Sequence, residues 1–217
     1  MAQDTIGTMQ KRGQRYWFED GLWELVIGSA FVVFAIYYGI VGSLETGSTL
    51  NTILSVGYVV VIPGVMILSS RIMRSLKARI TAPRTGFVSF HRSKRRIARS
   101  IVVGVVVGGA SAAGAIFIDA INTPVLLGGL AMAFVIGITG YRVGVRRIYV
   151  PAITILVSAI ALSLTVADTE AGFALLFAIG GLVVAITGGI TFVRYLHRNP
   201  VRDEEHGDST DGEERQA

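Results

Sequence analysis

Six apolar runs of near-membrane length punctuate this sequence, at residues 22–41, 53–70, 101–118, 124–141, 149–166 and 172–195. A helix rising about 1.5 Å per residue needs roughly 20 mostly apolar residues to cross a hydrocarbon core of about 30 Å, and each run comes within a few residues of that length. Each is apolar around its whole circumference, so none reads as the one-sided stripe of a soluble surface helix. Six buried helices inside a soluble protein would need a thick polar shell. A chain of 217 residues that is 52% hydrophobic and only 16% charged cannot supply one. The predicted fold class is therefore all-α: a polytopic integral membrane protein with six transmembrane helices arranged as antiparallel hairpins.

The first run is long enough to span, and no small-x-small cleavage pattern follows it, so it is expected to stay as an anchor. Cysteine is absent, which removes disulfides, thiolate metal sites and cysteine nucleophiles from consideration.

Basic residues are retained on the cytoplasmic side of a membrane, and their distribution here is completely one-sided. Lys11, Arg12 and Arg15 precede the first run, and ten Lys and Arg residues lie between Arg71 and Arg99. Arg142, Arg146 and Arg147 join the fourth run to the fifth, and Arg194, Arg198, Arg202 and Arg215 follow the sixth. These four segments hold all 20 basic residues, whereas the alternate connections carry Glu45, Asp119, Asp168 and Glu170 and no Lys or Arg. Both termini are thereby expected in the cytoplasm and the chain in the cell membrane. Basic residues lining one membrane face make anionic lipid headgroups the expected partner. Nucleic acid is not expected, because no aromatic-interleaved basic stripe or recognised nucleic-acid module accompanies the charge.

Three regions follow. Residues 1–21 form a cytoplasmic N-terminal segment in which Ile6, Met9, Gly13 and Tyr16 recur at helical steps. It reads either as a short interfacial helix or as a tail ending in an aromatic anchor. Residues 22–202 form the membrane domain, with a basic cytoplasmic loop at 71–99. Residues 203–217 are rich in Asp and Glu and almost without apolar side chains, the composition of a disordered acidic tail.

Within the membrane domain the outer connections 119–123 and 167–171 are five residues each, short enough to force hairpins. Pro63 lies mid-span, where it removes a helical hydrogen bond and predicts a kink. Residues 128–142 and 180–194 match at eight of fifteen positions at an offset of 52, a weak parallel repeat ending at Arg142 and Arg194. The third run carries Gly104, Gly108, Ala112 and neighbouring small residues, a face for close helix packing within the chain, in a homo-oligomer or against another membrane protein.

Sites for chemistry are few. Glu24 is the one ionisable residue clearly inside an apolar run, less than a turn past its start, so an intramembrane ion pair with Arg71 or Arg74 at the facing end of the second run is expected. Glu19, Asp20 and Glu24 form a carboxylate cluster. Asp20 and Glu24 are four apart on one helical face, and neutralisation by arginine is favoured over a divalent cation. His91, His197 and His206 show no metal-ligand or triad spacing, and no hydrolase, zincin or P-loop motif occurs. No metal, cofactor or catalytic residue is therefore expected. In the 71–99 loop, Pro83 and Gly86 can form a turn flanked by Arg84, Arg92, Lys94, Arg95 and Arg96, a candidate cradle for a phosphate or lipid headgroup.

Two stretches, YWFEDGLWE at 16–24 and PRTGFV at 83–88, resemble an uncharacterised family of small polytopic membrane proteins of bacteria and archaea. Members of that family often carry a tyrosine before the Pro-Arg pair, where this chain has Ala82. The resemblance implies a multi-pass membrane protein and lends no activity. The functional expectation is a non-enzymatic multi-pass protein whose basic cytoplasmic loop contacts anionic lipid or a partner. The alternative is a small-solute transporter or channel, suggested by the six spans, Pro63 and the repeat.

Overall fold

The computed structural model describes residues 18–45, 47–81 and 122–200. Their order is α1 (Leu22–Ser43), α2 (Thr49–Leu76), a π-helical turn (Lys77–Thr81) continuing α2, α3 (Thr123–Val143), a 3-10 turn (Arg146–Ile148), α4 (Tyr149–Thr165) and α5 (Thr169–Arg198). No strand occurs among the described residues. Five helices there are long and apolar enough to cross a membrane. The expected third span at 101–118, the segment 82–100, the N-terminal segment before Phe18 and the acidic tail lie outside the described residues.

Local chemistry sets the helix ends. Ser48 caps α2, its hydroxyl accepting from Asn51 N at 3.2 Å, and Asp168 caps α5 through Ala171 N at 2.6 Å. Each cap satisfies an N–H that the first helical turn leaves without a partner. Pro124 sits in the first turn of α3, where its missing N–H costs nothing. Helix α2 departs most from expectation. It extends past Ser70 to Leu76 and then through the π turn to Thr81, so the first part of the predicted loop is helical. Pro63 lies inside α2, which continues as a single helix on both sides of it.

The most extensive packing is α1 against α5. Small residues allow it: a Cβ on Gly28 would lie 2.5 Å from Ala185 N, and one on Gly188 would lie 2.6 Å from Leu25 N. Backbones this close exchange dispersion contacts over a long seam, the main source of helix association where lipid is as apolar as leucine. A second centre joins α3, α4 and α5 through Val125, Ile136, Ile148, Ile155, Ala159 and Leu176. The opposite faces point outward with large apolar side chains, Val60 75% and Tyr141 77% exposed. In water such continuous apolar surface drives aggregation; in a bilayer it meets hydrocarbon.

The two ends of the bundle differ in charge. Asp20, the end of α2, the α3–α4 turn and the last turns of α5 gather at one end, where Gly21 packs on Gly188 and Arg147 reaches Glu24. At the other end Asn122 N donates to Ser163 O at 3.0 Å, Asn51 donates to Val41 O at 3.2 Å, and Gly42 adjoins Glu170. Every described Lys and Arg belongs to the first end, while Glu45, Asp168 and Glu170 belong to the second.

Candidate functional site

The start of α1 is the most polar buried region described. Gly21 carries a φ of 73°, a left-handed conformation that a side chain would strain, and an added Cβ would stand 2.5 Å from Gly188 O. The chain can therefore turn sharply into α1 while pressed on α5. That turn directs the carboxylates on either side of it inward, leaving Asp20 1% and Glu24 2% exposed.

Each carboxylate meets its own cation. Asp20 Oδ2 accepts from Lys77 Nζ at 2.7 Å and from Thr81 Oγ1 at 3.0 Å, while Oδ1 accepts from Leu22 N at 3.2 Å. Lys77 and Thr81 are buried with it, four residues apart on the π-helical turn. A π turn rotates less per residue than an α turn, which brings positions four apart closer to one line along the helix. Glu24 Oε1 accepts from Arg147 Nε at 3.0 Å. Arg147 Nη2 lies 3.5 Å from Oε2 and also donates to the Phe18 carbonyl. Phe18 packs on Trp23 with ring centroids 5.0 Å apart. The stretch from Phe18 to Glu24 thus clasps the end of α2, the α3–α4 turn and α5 together.

Glu24 is buried and ion-paired, but its cation is Arg147 and not the expected Arg71 or Arg74. The reason is geometric. Arg71 and Arg74 are exposed, and Arg74 Nε turns back to Ser70 O at 3.2 Å, whereas Arg147 is held over α1 by the 3-10 turn. Asp20 and Glu24 do not share a helical face either, since Gly21 breaks the phase and Asp20 stands before the helix. Their separate cations leave no shared carboxylate site, and no metal-holding group of His, Cys, Asp and Glu occurs among the described residues. Arg84, Arg92, Lys94, Arg95 and Arg96 lie outside the described residues.

Lys77 and Arg147 were the participants that sequence reasoning missed. Lys77 stands among ten basic residues with nothing in its spacing to mark it as buried. Arg147 is 123 positions from Glu24, a separation that only the packing of the helices closes. With Asp20 and Glu24 buried and each paired to its own cation, the cluster can hold elements in register.

No family model matches the chain, and neither a curated protein nor a solved structure matches it.

Proposed function

We propose that this chain is a six-span membrane protein, folded as antiparallel hairpins, with the basic end of the bundle in the cytoplasm engaging anionic lipid headgroups. The carrying observation is what remains after the clasp is satisfied. Among the described residues, only Lys77 and Arg147 pair with Asp20 and Glu24, while Arg71, Arg74, Arg79, Arg142, Arg146, Arg194 and Arg198 stand exposed at the same end. Exposed guanidinium groups attract phosphate when that end of the bundle lies at headgroup depth, each basic residue contributing about 1 kcal/mol near an anionic leaflet. Basic residues are retained in the cytoplasm during insertion, which supports the orientation.

The ends of the described helices support a sixth span: Thr81 lies at the basic end and Asn122 at the acidic one. The run 101–118 is the segment between them with span length and composition.

A solute pathway draws less support. The buried polar side chains described sit at the two ends, Asp20, Glu24, Lys77 and Thr81 at one and Asn122, Thr123 and Ser163 at the other, with Ser69 roughly two turns inside. Between them the described interior is apolar.

Lipid exchange in nanodiscs tests the proposal. With equal anionic and neutral lipid supplied, mass spectrometry of the released protein should recover mainly anionic lipid. Replacing Arg142, Arg146 and Arg194 together with Gln should reduce that enrichment several-fold. Enrichment unchanged by this triple variant and by Gln at Arg84, Arg92, Arg95 and Arg96 would sink the proposal.

A further inference from the structure

At the acidic end, α1, α2 and α5 leave a cavity of ≈ 270 Å³. Half of its lining residues are aromatic, Tyr37 and Tyr38 from α1, Tyr58 from α2 and Phe173 from α5, and Ser55, Thr169 and Glu170 add polar groups. The volume falls just below the roughly 300–1,000 Å³ of sites for drug-sized ligands, which suits a compact charged group.

The rings are held in place. The Tyr37 hydroxyl donates to the Leu54 carbonyl, crossing from α1 to α2. Tyr38 stands nearly perpendicular to Tyr37 at 5.7 Å, packs on Phe173 at 5.2 Å and stacks on Phe177 at 5.7 Å with planes 12° apart. Tyr residues of an ordinary interfacial belt spread around the perimeter of a membrane protein. These converge on one concavity.

Charge selects the occupant. Glu170 forms no ion pair among the described residues, and no Lys or Arg belongs to this end of the described bundle. Aromatic faces and a carboxylate together favour a cation and repel an anion. A metal ion would require a fuller set of oxygen ligands than one carboxylate and a few hydroxyls. A methylated ammonium is different, being weakly hydrated and able to lay its methyl groups against ring faces. We infer that this cavity binds an alkylated ammonium cation, of the kind carried by a small choline-like solute or by a choline lipid headgroup.

The test uses the full chain in nanodiscs of phosphatidylglycerol, free of choline lipid, at physiological salt. One arm titrates choline against its uncharged carbon isostere, 3,3-dimethylbutan-1-ol, by calorimetry. The second compares short-chain phosphatidylcholine with short-chain phosphatidylglycerol. Saturable binding of choline, at least about tenfold tighter than the isostere, identifies a free cation. Saturable binding of phosphatidylcholine alone identifies the headgroup, and either result supports the site. In the arm that binds, Tyr38→Leu and Glu170→Gln should each weaken affinity about tenfold while Tyr38→Phe retains it. Absence of saturable binding in both arms, equal binding of the isostere, phosphatidylglycerol binding that Tyr38→Leu weakens as much as phosphatidylcholine binding, or indifference to Tyr38→Leu and Glu170→Gln overturns the inference.

Discussion

Asp20 and Lys77 are buried together, 1% and 3% exposed, and their 2.7 Å contact has consequences that differ for one residue and for the pair. Removing one partner strands the other charge away from water, at a cost of about 3–5 kcal/mol. Lys77→Met should therefore destabilise the protein strongly in unfolding titrations with denaturing detergent. Adding Asp20→Asn to Lys77→Met should cost less than the sum of the two single changes, because the second removes the stranded charge. Additive losses would show that the pair is not coupled. The sequence marked Glu24 as buried and paired, and this much was legible because a carboxylate inside an apolar run has few other fates. Its partner was not legible. One guanidinium among many is chosen by the turn that carries it, and Arg147 stands on the short turn before Tyr149.

Among elements, the seam between α1 and α5 depends on residues that have almost no side chain. Gly188→Val would drive branched methyl groups into Leu25 N and the Glu24 backbone, and Gly28→Val would meet Ala185. Overpacking of this kind costs about 1–3 kcal/mol or separates the helices. Gly189→Val is the control, since a Cβ there has 4.0 Å to the nearest neighbour, Leu25 Cδ1. The expected outcome is a lowered thermal unfolding temperature for Gly28→Val and Gly188→Val and little change for Gly189→Val. Equal effects at all three positions would contradict the close seam. The helices themselves were largely readable. The run 149–166 became Tyr149–Thr165 and the run 124–141 became Thr123–Val143, because membrane length and apolarity dominate where a helix can lie. Hydropathy could not place the end of α2, since Arg71, Arg74 and Lys77 resemble a loop by composition. They are nonetheless good helix formers, and Lys77 is tied to Asp20. Nor did glycine spacing alone show that α1 would meet α5, two elements far apart in the chain.

At the scale of the whole molecule, the described bundle has one basic and one acidic end, and the proposed orientation across a membrane sets the basic end in the cytoplasm. Helices α1 and α3, of 22 and 21 residues, reach about 32 Å, close to the hydrocarbon thickness. Helix α5, at 30 residues, reaches about 45 Å, long enough to set Arg194 and Arg198 outside an apolar layer of that thickness. The absence of cysteine from the sequence makes the arrangement directly measurable, since one introduced thiol is the only thiol present. Glu45→Cys and Ala167→Cys place it at the acidic end, and Arg146→Cys and Arg198→Cys place it at the basic end, all at exposed positions. With a membrane-impermeant maleimide added to intact cells, the first two should be labelled at once. The second two should be labelled only after permeabilisation. Labelling of Cys at 146 or 198 in intact cells, with 45 and 167 protected, would invert the orientation; labelling of all four would contradict a bundle that spans the membrane.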